Sequence, residues 1–175
     1  MIIDVKSHQD ISFWRDELNR NTRIGVEALR GLTGSPLKAL AQVKFAPIGR
    51  HPLDDRPLNM IEQVNQTFTY WVALRTADLL LDWHPEISGL RLAPGAHAPK
   101  GSLDIESHEK GIVGAETFAA PPKSNQKLKG DLDKLAARNE QHRYVFFTAP
   151  TFNETRRRPE LERDGVAVWS VELTT

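Results

Sequence analysis

The sequence predicts an α/β (α+β) chain built on a mixed sheet, with a short helical region ahead of it. Three observations carry that expectation. Helical periodicity dominates the stretch before about residue 84. A period-2 hairpin pattern occupies Gly101 to Ala120, and a further helical stripe separates that hairpin from an aromatic, β-branched strand.

Taken in order, Ser7 followed by Asp10 marks a helix start, and Ile11, Trp14 and Leu18 give the first apolar stripe. Ile24 to Leu32 continues it as short helices, broken by Gly31 and Gly34, and Ser35-Pro36 opens another. Ala46 to Pro57, rich in proline and charge, reads as a linker. Residues 1–57 are therefore a helical extension and linker, and residues 58–175 an α/β core.

The core opens on the longest helical pattern, Leu58 to Trp83, which ends before His84-Pro85. Its expected buried stripe is Ile61, Val64, Phe68, Trp71, Val72 and Leu79. Leu90 to Ala93 follows as a short strand. Gly95 to Ser102 only superficially suggests a phosphate loop, because Lys100-Gly101 reverses the required Gly-Lys order and a strand follows instead of a helix.

In the hairpin, Gly111 suits the left-handed position of a Glu109-Lys110-Gly111 turn. That turn sets Glu106 opposite Gly114 and Asp104 opposite Glu116. Leu103, Ile105, Val113, Ala115 and Thr117 are expected on one, buried face. Asp104, Glu106, His108 and Glu116 take the other, with Phe118 further along. Asp104 and Glu116 then lie roughly 5 Å apart at Cβ, a repulsive pairing that a divalent cation, a lysine or simple solvent exposure relieves.

After Pro121-Pro122, Ser124 suits a helix cap, with Leu128, Leu132 and Leu135 as the core face of a helix reaching about Arg138. Arg143 to Thr148 is a strand by composition, and Val166 to Leu173 alternates as a last one.

Composition narrows the chemistry. The chain has 175 residues with 23 basic and 23 acidic, so bulk charge points to no polyanionic partner, although a local patch can bind one. With Cys 0, disulfides, thiol nucleophiles and cysteine-ligated zinc are excluded. The six histidines show no H-E-x-x-H spacing, and there is no G-x-S-x-G elbow or dinucleotide fingerprint. The start lacks the features of a signal peptide and no apolar run reaches membrane-spanning length, so the expected location is cytoplasmic and soluble.

What remains is the acidic hairpin and the lysines after it. The order helix, strand, strand, strand, helix, strand, with Asp104 opening the second strand and Glu116 on the third, resembles the PD-(D/E)XK nuclease superfamily. The likeness covers about Leu58 to Thr148. It implies a restriction-endonuclease-like αβββαβ core and a Mg²⁺- or Mn²⁺-dependent nuclease, with DNA before RNA as partner. On that likeness Asp104 and Glu116 bind metal, and Glu62 on the first core helix assists. Phe118 stands where the motif has lysine, so the following helix is the expected source, Lys127 first and Lys129 next. Lys129, Arg156, Arg157 and Arg158 are candidate phosphate contacts. A homodimer is an allowed assembly, and no membrane partner is expected. The other reading is a catalytically inactive relative serving as a protein- or nucleic-acid-interaction module.

Overall fold

The computed structural model describes residues 1–95, 101–124 and 126–173. The loop 96–100 weighed above as a phosphate loop lies outside them. In chain order the elements are β1 (Ile3–Val5), α1 (His8–Arg30), α2 (Pro36–Phe45), β2 (Gly49–Arg50), β3 (Pro57–Leu58), α3 (Met60–Trp83), β4 (Leu90–Leu92), β5 (Ile105–Ser107), β6 (Val113–Ala119), α4 (Lys127–Ala136), β7 (His142–Thr148), β8 (Arg156–Arg157), a 3₁₀ turn (Pro159–Leu161) and β9 (Ala167–Ser170). They divide into two compact units, Met1–Ile11 with Val72–Thr175, and Ser12–Trp71.

The first unit holds a seven-stranded mixed sheet in the order β1-β4-β5-β6-β7-β9-β8. From β1 to β6 neighbours run antiparallel, whereas β6, β7 and β9 are parallel. The parallel step from β6 to β7 needs a crossover, and α4 supplies it. The series α3-β4-β5-β6-α4-β7 is the αβββαβ order expected from the sequence. Ile3–Val5, expected to belong to an extension, is instead the sheet's edge strand, paired with Leu90–Leu92. A three-residue strand is too short for its alternation to be told from a helical start.

Central strands are covered on both faces, which is why β6 is buried at six consecutive positions and does not alternate. On one face Phe118, Val145, Phe147 and Val168 pack with Leu128, Leu132 and Leu135 of α4. On the other, the Trp83 ring lies 4.6 Å from Trp169 and 5.8 Å from Phe146, centre to centre. Leu103 was expected with Ile105, but it packs in the α4 cluster with Phe118. The chain bends at Asp104 before β5 begins, so alternation does not extend back through residue 103. A Cβ on Gly114 would meet Leu103 Cδ1 at 2.5 Å, so glycine there makes room for that leucine.

In the second unit the expected linker contains a small hairpin, β2 with β3. The expected short helices merge into one 23-residue α1. The stripe of α3 also differs from expectation: Ile61, Val64 and Phe68 are exposed, while Met60, Gln63 and Tyr70 are buried. Gln63 takes the buried line because both ends of its amide have backbone partners, Nε2 donating to Asn21 O at 2.9 Å and Oε1 accepting from Arg50 N at 2.8 Å. Gly25 and Gly49 admit that side chain, since a Cβ on either would lie 2.3 or 2.5 Å from Gln63 Oε1. No helix among the described residues is long and apolar enough to cross a membrane.

Candidate acid and lysine site

The hairpin forms in the expected register, with Ile105 opposite Ala115 and Glu106 opposite Gly114, and with Gly111 at φ +83°. The paired register ends at Ile105 opposite Ala115, and Asp104, the next residue back, lies close enough to Glu116 for their charges to interact. Val113 N points to Ser107, so a continued ladder would aim Thr117 N at the carbonyl of residue 103. Instead, Asp104 Oδ2 accepts from Thr117 N at 2.8 Å and from Thr117 Oγ1 at 3.0 Å. The carboxylate thus ends the ladder by replacing a strand carbonyl and is fixed in place by doing so.

Glu116 projects from β6 on the face that α4 covers, beside Val145 in the register. Two residues on, Phe118 stacks on Phe147 at 5.5 Å and 13° between planes. The strand position that holds lysine in the resembled motif is therefore spent on the core, and cations reach Glu116 from α4. Lys127, Asp131 and Lys134 stand at i, i+4 and i+7, one face of that helix. Lys134 Nζ donates to Glu116 Oε1 at 2.5 Å and to the Ser102 carbonyl at 2.7 Å. Lys127 Nζ donates to Asp131 Oδ1 at 2.6 Å and lies 3.9 Å from Glu116 Oε2.

The acids are buried: Asp104 is 8% exposed, Glu116 2% and Asp131 4%. Solvent exposure is thereby excluded as the relief for these three acids, and lysine supplies it: Lys134 bonds Glu116, and Lys127 bonds Asp131 beside Glu116. Burial, with the Asp104 charge next, pushes the Glu116 carboxyl up to about 7 against the pull of Lys134. Burial likewise raises Asp131 against its bond to Lys127. Burial opposes the charge on Lys127, but the Asp131 bond and the neighbouring carboxylates outweigh it and hold that ammonium above its ordinary value. Asp131 Oδ2 is buried and has no hydrogen-bond partner among the described residues.

Of the residues expected at a site, Asp104, Glu116 and Lys127 come together, and Asp131 and Lys134 join them unforeseen. The i, i+4, i+7 spacing was the available signal, but it becomes meaningful only once α4 is known to lie over Glu116. The helix itself begins at Lys127, and its cap is Gln126 in a left-handed conformation with no side-chain cap bond, so Ser124 does not serve as expected.

Glu62 lies in the other unit, tied to the Asn59 side chain at the helix start: its backbone N–H donates to Asn59 Oδ1 at 2.9 Å and its carboxylate accepts from Asn59 Nδ2 at 2.9 Å. Lys129 is exposed. In the arginine run, Arg156 pairs with Glu154, and Arg157 makes a two-point bond to Glu162. Arg158 has a side chain only 12% exposed, lies 4.9 Å from the centre of the Phe152 ring and donates to Ser170 Oγ at 2.9 Å. These arginines hold the β8–β9 edge together through acids and aromatic contact.

A cleft of about 620 Å³ opens away from this site, lined by Arg91, Glu106, His108, Arg138 and Glu140 among others. The acid cluster is reached past Lys127 and Lys134, whose side chains are 44% and 37% exposed. Comparison of the chain with protein-family models, with curated proteins and with solved structures finds no match.

Proposed function

We propose that the chain is a metal-dependent nuclease that hydrolyses phosphodiester bonds, with DNA as the leading substrate and the cytoplasm as its place of action. The observation that carries this reading is the buried cluster of Asp104, Glu116 and Asp131 with Lys127 and Lys134, located on the hairpin and second helix of an αβββαβ series. The resembled superfamily keeps its acids on that hairpin and its lysine on the third strand, or in some members on the following helix.

By donor type alone, the oxygens of Asp104, Glu116 and Asp131 suit Mg²⁺ or Mn²⁺. Among the described residues these three carboxylates do not converge into one ligand group, and Lys127 and Lys134 neutralise them in the metal-free chain, so an ion would have to displace those ammonium groups. Asp104 and Glu116 would hold the ion, which when bound supplies a water of lowered pKa and offsets phosphate charge. The protein's part is positioning. Thr117 fixes the Asp104 carboxylate, and Lys134 orients Glu116 from a second anchor on the Ser102 carbonyl. Lys127, more exposed, can present its ammonium to a phosphate oxygen while staying beside Glu116.

One observation favours the second reading, a nuclease-like module that binds without cutting. Both lysines near Glu116 are already bonded to carboxylates, and Phe118 replaces the strand lysine. Plasmid nicking with Mg²⁺ or Mn²⁺ separates the two. We expect nicking that is lost in Asp104→Ala and Glu116→Ala and reduced about 10²-fold or more in Lys127→Ala. Pure protein that cuts neither DNA nor RNA across varied substrates, yet binds either with a steep salt dependence, is the module.

A further inference from the structure

Away from the acid cluster, the first unit brings together His84, Glu86 and His142, one ligand atom of each lying within 4.8 Å of the others. The sequence places the first two by ending α3: His84 N still donates to Leu80 O at 3.0 Å, and Pro85 then turns the chain so that Glu86 folds back. The strand β7 places the third, because His142 opens it and pairs with Val113.

His84 is nearly buried, its side chain 6% exposed, and both ring nitrogens are engaged. Nε2 meets the Tyr144 hydroxyl at 2.9 Å and Nδ1 meets Glu86 Oε1 at 2.9 Å. His142 Nε2 lies 4.0 Å from the same carboxylate oxygen, and the two imidazole rings are 4.5 Å apart. The 2.9 Å contact of Nδ1 with Glu86 is of hydrogen-bond length in the metal-free chain; with Nε2–H donated to the Tyr144 hydroxyl instead, Nδ1 is freed to share a cation with the carboxylate. Orientation of a ligating imidazole by a polar partner on its other nitrogen is the usual support of a metal-bound histidine.

We propose that His84 Nδ1, Glu86 and His142 Nε2 bind a late first-row divalent ion of the zinc class, tying the end of α3 to the start of β7. Two imidazoles and one carboxylate match zinc chemistry and disfavour Mg²⁺, which takes oxygen donors. Tetrahedral Zn²⁺ spaces its ligand atoms by about 3.3 Å. The His84–Glu86 pair is already that close, so His142, 33% exposed at its side chain, makes the remaining movement. Three protein ligands leave a fourth position to water.

The test is calorimetric titration of the whole chain with Zn²⁺, together with visible absorption of its Co²⁺ form and thermal melts with and without Zn²⁺. We expect one equivalent bound, a raised melting temperature and a tetrahedral Co²⁺ spectrum, none of it displaced by excess Mg²⁺. His142→Ala and Glu86→Gln change exposed side chains, and each should weaken binding by roughly 10²-fold, while Tyr144→Phe weakens it by about tenfold. Glu116→Gln should leave zinc binding unchanged, which separates this site from the acid cluster. The assignment is overturned by failure to bind one equivalent, by undiminished binding in the Glu86→Gln/His142→Ala double variant, or by binding that is lost only in Glu116→Gln.

Discussion

Lys134 Nζ sits 2.5 Å from Glu116 Oε1, joining residues 18 apart in the chain, and its other bond reaches the Ser102 carbonyl just before Asp104. One ammonium therefore braces both arms of the hairpin at the acids. If the nuclease reading holds, Lys134→Ala should reduce nicking at least as much as Lys127→Ala, by about 10²-fold, and Lys129→Ala should leave it within a few-fold. Initial rates on supercoiled plasmid decide it, and a Lys134→Ala protein as active as wild type would remove this lysine from the site.

Asp104 carries a structural duty as well. Because its carboxylate accepts from Thr117 N and Oγ1, Asp104→Ala leaves a buried amide and hydroxyl unsatisfied, at about 1–3 kcal/mol. Asp104→Asn keeps an acceptor and should recover much of that loss while still abolishing metal-dependent cleavage. Urea midpoints of the three proteins provide the measurement. Equal stability of Asp104→Ala and wild type would show that the Thr117 bonds contribute nothing.

Glu116 gives the acid cluster a pH signature. Its carboxyl moves from an ordinary 4.5 to about 7 on folding, chiefly through burial and then Asp104, with Asp131, Lys127 and Lys134 of α4 also facing it. Between those values the folded chain holds a proton that the unfolded chain releases. Its stabilisation is therefore complete below the lower value and is lost as pH rises through the upper one. Metal-free protein should lose stability on the order of 1–3 kcal/mol across that window more than Glu116→Gln does. Chemical denaturation with a chelator at a series of pH values tests this, and parallel profiles would sink it.

Arg158 separates a structural arginine from a phosphate contact. It stacks on Phe152 and bonds Ser170, so Arg158→Ala should lower the melting temperature by several degrees, corresponding to about 1–2 kcal/mol. Arg156→Ala, exposed and paired with Glu154 across 3.4 Å, should leave stability within about 0.5 kcal/mol. Thermal melts of both variants check the contrast, and the salt slope of DNA binding should change little in either.

The sequence by itself determined the αβββαβ order of the central elements and the hairpin register, but not the short strands β1, β2, β3 and β8. The register follows from local rules: period-2 alternation, a glycine at positive φ, and a turn length that leaves one pairing. Tertiary structure decided the rest. Whether two facing acids are solvated or buried depends on what lies over the strand, and α4 covers Glu116 while Leu103 turns away from Ile105 to join the same core. The source of the lysine was decided in the same way, since Lys127, Asp131 and Lys134 make an ordinary charged helix face until that face is set over a buried glutamate. On α3 the apolar stripe misled because Gln63, with backbone partners at both ends of its amide, is as well satisfied inside as a leucine, and periodicity counts hydrophobicity without seeing partners. His84 and His142 are 58 residues apart and have no motif spacing; only the return of β7 beside the end of α3 makes them neighbours.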